Sequence, residues 1–209
     1  MAFDKRLRLI AITERRRCGG TEQLLSQCRA LLEAGLPCLM LREKDLDSRQ
    51  LLELATTLRT LTHKHDALLI INNNIEVARA CNADGVHLSF NAFLDFTESE
   101  RSGLFCGVSC HSREELLSAE RHHADYAFLS PVHAPLSKAH RGEPIGVDGF
   151  AMAVEGISIP VIALGGIEPH HIAALVSRGA AGVATIGGVF GGANPATALA
   201  DYVEAICRA

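Results

Sequence analysis

Two glycine pairs constrain this chain more than any other feature. Gly165-Gly166 follows the apolar run Val161–Leu164, and Gly187-Gly188 closes the run Gly182–Ile186. Between them lie Glu168-Pro169, an apolar-periodic segment from His170 to Ser177, and Gly179. The order reads strand, glycine loop, helix, glycine, strand, glycine loop. Two parallel strands that each end in Gly-Gly bring bare backbone N–H groups side by side, with helix N-termini behind them. Such a place holds a phosphate, because the dipole favours the dianion and the missing Cβ atoms let it approach. The bland reading is a pair of ordinary loops in which glycine only relieves strain. In a (β/α)8 barrel the usual phosphate site follows the last two strands. These are the last two strands here, so the preceding chain must supply six βα units.

It reads as if it does. Strand-like runs fall at Leu7–Thr13, Cys38–Arg42, Ala67–Ile71, Val86–Leu88, Leu104–Ser109 and Tyr126–Ser130. Helical spacing of apolar residues appears over Thr21–Ala34, Ser48–Thr62, Ile75–Cys81, Glu114–Arg121 and Val147–Val154. Pro131–Ile145 has no periodicity and reads as a long loop. Continuous apolar strands imply a parallel sheet covered on its outside. A doubly wound sheet is the rival, but the first strand ends in Thr13-Glu14 without a GxGxxG turn. The expected fold is α/β: a compact TIM barrel of one domain over residues 1–209. Its repeat would average about 26 residues, short for an architecture of typically ~250 residues.

Composition removes whole classes of function. The net charge of −4 and the lack of a basic stripe argue against nucleic acid as the main partner. No apolar run approaches the roughly 18 residues needed to cross a membrane. The seven cysteines are odd in number, scattered and free of CxxC, so neither a disulfide framework nor a zinc site is expected. A cytoplasmic location follows. Most of the cysteines read as small core residues, and Cys110, beside a strand end, is the one to test for reactivity. Phe90, Phe93 and Phe96 after the fourth strand would form a lid, core or partner surface.

In a barrel the acting residues lie where strands end. Those ends carry Arg42 and Lys44, Asn72 and Asn73, His87 and Ser89, Ser109 and His111, then Ser130, Pro131 and His133. Residues i and i+2 share a strand face, so Arg42 and Lys44 can meet one anion while Glu43 points elsewhere. The long loop adds Ser137, Lys138, His140 and Arg141, which could close over an anionic substrate. Of ten histidines, His87 reads as a hydrogen-bonded core residue. His111 and His133 follow strands and are the acid/base candidates. No spacing suggests a metal cluster.

The segments LREKD (Leu41–Asp45), INNNIEVA (Ile71–Ala78), ADGVHLS (Ala83–Ser89), GVSCHS (Gly107–Ser112), SPVHAPLSK (Ser130–Lys138), IPVIALGGI (Ile159–Ile167) and GVATIGGVF (Gly182–Phe190) resemble the thiamine-phosphate synthase/TenI family. The resemblance runs through nearly the whole chain and implies a compact (β/α)8 barrel. It implies that Arg42, Lys44 and Lys138 meet a pyrophosphate, that Ser109 is a polar pocket residue, and that Gly166 with Ile186-Gly187 cradles a thiazole phosphate. Asn72, Ser137 and Gly165 complete the expected binding set. Family synthases hold Mg2+ with two aspartates. Here Asn73 stands at the first place, and Phe90-Asn91-Ala92 covers the second. The TenI branch is a thiazole tautomerase that moves a proton without metal, yet its histidine falls at Pro131 here, with His133 two residues on.

The first expectation is therefore a metal-independent thiazole isomerase, with His133, His111 and Lys138 as its catalytic group. The alternatives are a thiamine-phosphate synthase, or a non-catalytic regulatory binder of thiazole or thiamine phosphates. No cofactor is expected, and Mg2+ only for the synthase. The partner is a small-molecule thiazole phosphate or thiamine phosphate, without nucleic acid or membrane. A homodimer is the one assembly left open.

Overall fold

Eight short parallel strands close into a barrel in chain order: β1 (Leu9–Ile12), β2 (Cys38–Leu41), β3 (Leu68–Asn72), β4 (Gly85–Ser89), β5 (Phe105–Cys110), β6 (Tyr126–Leu129), β7 (Val161–Leu164) and β8 (Gly182–Thr185). The computed structural model describes residues 3–101, 103–134 and 143–209. Closure is made by β1 against β8, with Ile10 opposite Ala184, while Ile10 also faces Cys38 on β2. The barrel expectation holds and the doubly wound rival does not. No helix among the described residues is long and apolar enough to cross a membrane.

The strict alternation of each strand sorts the core into two layers. Ile10, Ile12, Cys38, Met40, Leu68, Ile70, Tyr126, Phe128 and Ile162 fill the barrel interior. Their neighbours Leu9, Ala11, Leu39, Leu41, Leu69 and Ile71 face outward against the helices. That is why the strands are apolar throughout. Full burial of each such aliphatic side chain contributes about 1.5–3 kcal/mol.

The outer layer is α1 (Arg15–Cys18), α2 (Thr21–Glu33), α3 (Ser48–Lys64), α4 (Ile75–Ala80), α5 (Phe90–Leu94), α6 (Glu98–Arg101), α7 (Arg113–Arg121), α8 (Gly146–Val154), α9 (Ile172–Ser177) and α10 (Pro195–Arg208). The α2 helix buries Leu24, Cys28, Leu31 and Leu32, one stripe at helical spacing. It stops at Gly35, whose φ of +93° is left-handed. The first strand begins later than the sequence reads, because Asp4 accepts from the Arg6 N–H and holds Lys5–Arg8 in a 3-10 turn. Three short helices, α1, α5 and α6, were not legible as periodic segments. Nor was α10 recognised, although Asn194 caps it through the Thr197 N–H and Pro195 begins it. Phe93 and Phe96 are buried, so the phenylalanine cluster is core rather than a partner surface.

Candidate active site

The C-terminal ends of the strands carry two adjoining cavities. The larger, about 290 Å³, opens over β2 to β6 and is lined by Arg42, Lys44, Asn72, Asn73, His87, Ser89, Ser109, His111 and Ser130. The smaller, about 100 Å³, lies over the ends of β7 and β8 and is lined by Gly165, Gly166, Gly187, Gly188, Glu14, Arg17, Glu168 and Tyr202, among others. Leu164 and Ile186 belong to both linings, so the two cavities meet there.

The smaller cavity is the glycine cradle, and its glycines answer several demands. Gly165 and Gly166 have φ of +100° and +59°. A Cβ on Gly165 would lie 2.8 Å from the Pro131 Cα, and one on Gly166 would lie 2.5 Å from the Ala134 carbonyl oxygen. The segment after β6 packs onto this pair through Val132 N–H to the Leu164 carbonyl (3.0 Å) and His133 N–H to the Gly165 carbonyl (2.9 Å). Gly188 makes room for Tyr202, whose hydroxyl would sit 2.0 Å from an added Cβ. Its N–H is already given to the Thr185 hydroxyl at 3.1 Å. Among the described residues, the N–H groups of Gly166 and Gly187 have no protein acceptor. Those two amides are open to an anion. The expected helix N-termini are not directly behind the pairs. A 3-10 turn, Pro169–His171, precedes α9, and α10 begins only at Pro195. The two prolines fix those later starts, so what these loops offer an anion is backbone amides rather than helix dipoles.

The larger cavity is cationic. Among the described residues neither Arg42 nor Lys44 pairs with a carboxylate. The proximity of Arg42, reinforced by burial, holds the Lys44 ammonium below its ordinary value. Two crowded cations at a strand end have the chemistry to accept a multiply charged anion. Glu43 turns away, is buried, and accepts the Arg15 N–H at 2.9 and 3.1 Å through its two oxygens. Burial raises its carboxyl above the ordinary value. Inside the barrel mouth His87 bridges Ser109 Oγ (2.9 Å) and Tyr126 Oη (3.2 Å). Burial, with Arg42 nearby, pushes the His87 imidazole down to about 3. It is neutral, and it orients the Ser109 hydroxyl at the edge of the cavity. His111 is exposed and places Nδ1 2.8 Å from the Ser130 carbonyl oxygen.

The structure therefore brings Arg42, Lys44, Asn72, Ser109 and His111 into one cavity and Gly165, Gly166, Ile186 and Gly187 into the other. His133 lines neither. Its ring stacks on His171 at 3.9 Å between centroids, and the His170 ring tilts against His171 at the same distance. Ser137 and Lys138, with His140 and Arg141, lie outside the described residues. Cys110 is buried and burial pushes its thiol up to about 12, so it is a core residue with an inert thiol. Arg17, Glu14 and Tyr202 are site residues the sequence reading missed. Their signals were the Arg15-Arg16-Arg17 run after β1 and the cap before α10.

The magnesium ion implied by the resemblance does not fit this lining. Magnesium takes anionic oxygens. Among the described residues, the larger cavity offers two cations, amides, hydroxyls and imidazoles, and no carboxylate. Asn73 spends its Oδ1 on the Ser89 N–H at 2.8 Å. Ala92 and Asp95 are both exposed, and neither lines the cavity.

A family model described as thiamine monophosphate synthase matches residues 9–189. A Geobacter sulfurreducens protein named "Putative thiamine-phosphate synthase" is 42% identical over 90% of this chain and 88% of its own length. The thiamine-phosphate synthase of Archaeoglobus fulgidus is 36% identical over 85% of this chain and 84% of its own length. The solved structure of thiamine phosphate pyrophosphorylase from Pyrococcus furiosus superposes with a TM-score of 0.83 at 30% identity, covering 98% of this chain and 97% of that one. The chain belongs to the thiamine monophosphate synthase family, TMP-TENI.

Proposed function

We propose that this protein is a thiamine-phosphate synthase, joining hydroxymethylpyrimidine pyrophosphate to a thiazole phosphate. The observation that carries the reading is the pair of anion-receptive cavities meeting at Leu164 and Ile186. Two phosphorylated substrates need two such places with their reacting ends in common. The glycine cradle takes the thiazole phosphate, and Arg42 with Lys44 takes the pyrophosphate. The thiazole nitrogen attacks the pyrimidine methylene carbon as its bond to the pyrophosphate oxygen breaks, and the electron pair leaves with the pyrophosphate. Arg42 and Lys44 stabilise that departing charge. The names of the relatives support this reading over the isomerase that the sequence put first.

One observation favours a second reading, a metal-independent thiazole isomerase. The larger cavity has no carboxylate among the described residues, and His111 lines it as an acid/base group. The deciding assay supplies both substrates, with Mg2+ in one series and chelator in another, and measures thiamine phosphate. The expected result is product in both series, with Arg42→Ala slower by roughly a hundredfold or more, the usual weight of a charge-stabilising group. No product in either series, with tight thiazole phosphate binding, sinks the synthase. Loss of isomerisation in His111→Ala would then establish the second reading, and binding without turnover would leave a regulatory binder.

A further inference from the structure

The cradle has a cation that its backbone amides do not explain. Arg17 comes from α1, the short turn after β1, and its guanidinium lies over the loop after β8. An added Cβ on Gly187 would lie 3.1 Å from both Arg17 Cζ and Nη1. Arg17 lines the smaller cavity, and so does its partner Glu14, which accepts from Arg17 Nε at 2.7 Å. Both side chains keep about a third of their surface exposed, at 32% and 35%, so this ion pair is screened and weak.

The turn that carries Arg17 is anchored from two sides. Glu43 takes the Arg15 N–H with both carboxylate oxygens, and Gly191 packs against the Arg17 backbone, 3.2 Å from an added Cβ to the Arg17 carbonyl oxygen. The guanidinium is thus delivered to the mouth of the cradle by a fixed backbone and a loosely paired side chain. A phosphate on the Gly166 and Gly187 amides would offer Arg17 two charges and several oxygens where Glu14 offers one charge. A guanidinium suits that exchange, since its planar fork donates to two oxygens at once.

We propose that Arg17 is the side-chain ligand of the phosphate in the glycine cradle, and that Glu14 holds it in waiting until a dianion displaces the carboxylate. This inference rests on the cradle reading above and adds a specificity-determining residue to it. Arg17 makes the site prefer a phosphorylated thiazole over its free alcohol.

The test is calorimetric titration of the full chain and its variants with thiazole phosphate, its unphosphorylated alcohol and inorganic phosphate. Arg17→Ala is expected to weaken thiazole phosphate by roughly ten- to a hundredfold, the weight of a charged hydrogen bond. Its affinity for the alcohol should not change. Arg17→Lys should restore part of the loss, having the charge without the fork. Glu14→Gln should tighten thiazole phosphate by roughly two- to fivefold, because the competitor is gone. Unchanged thiazole phosphate binding in Arg17→Ala, or equal weakening of phosphate and alcohol, overturns the role of Arg17 and leaves the cradle standing. If the unmutated protein binds neither thiazole phosphate nor inorganic phosphate, the cradle reading fails and the Arg17 inference falls with it.

Discussion

At the scale of single residues, the barrel mouth is set by a chain of small fits. Tyr126 lies fully buried across β5, and the strand admits it only because residue 107 is glycine. A Cβ there would stand 2.1 Å from the Tyr126 ring. Tyr126 in turn meets His87, and His87 meets Ser109. Gly107→Ala is therefore expected to destabilise the protein by about 1–3 kcal/mol through overpacking, measured by urea denaturation. It should also disturb Ser109 and slow turnover, although residue 107 touches no substrate. Gly107→Ala combined with Tyr126→Leu should recover part of the stability; equal stability of the single variant and the parent would show that the ring moves aside freely.

At the scale of elements, the two ends of the barrel do different work. The end away from the site is tied by acidic residues that precede strands. Asp84, before β4, accepts the Leu69 N–H at 2.8 Å and pairs with Arg59 of α3 at 2.6 Å. Asp125, before β6, accepts the Cys106 N–H at 2.7 Å. Each carboxylate satisfies a strand N–H where the ladder begins. Asp125→Ala would leave that N–H without its partner, at a cost of about 1–3 kcal/mol. The expected signature is a lower denaturation midpoint with turnover at ordinary temperature unchanged, since the residue lies at the far end from both cavities. A fall in turnover without a fall in stability would contradict this division. The glycine motifs were legible because the chain must turn sharply where a buried strand ends and the return toward a covering helix begins. The short helices were not, because four or five residues are too few to show a period.

At the scale of the molecule, the buried imidazole links stability to pH. His87 is held at about 3 when folded, against 6.5 for an unperturbed group. The unfolded chain therefore binds a proton between those values and the folded chain does not. Stability is fully present above about pH 6.5 and falls as pH drops toward 3, with an upper range on the order of 4 kcal/mol. Burial also lowers His133 and His171, and both act in the same direction. Urea midpoints should decline steadily from pH 7 to pH 4, and His87→Asn should flatten the decline. A parent profile already flat over that range would contradict the account.

The sequence by itself determined the barrel and the place of the paired glycines at its mouth. Unbroken apolar strands need cover on both faces, and paired glycines after the last two strands mark where the backbone is bare. Arg42, Lys44 and Ser109 were visible because strand ends are the acting positions of such a fold. Only the tertiary structure decided which side chains share a cavity. It brought Arg17 from the first βα turn over Gly187 and Tyr202 from the last helix behind Gly188, and it turned His133 toward His171. The reason is physical. Periodicity is a local property that each segment carries alone, whereas the lining of a cavity is fixed by barrel closure and by loops whose directions no period records.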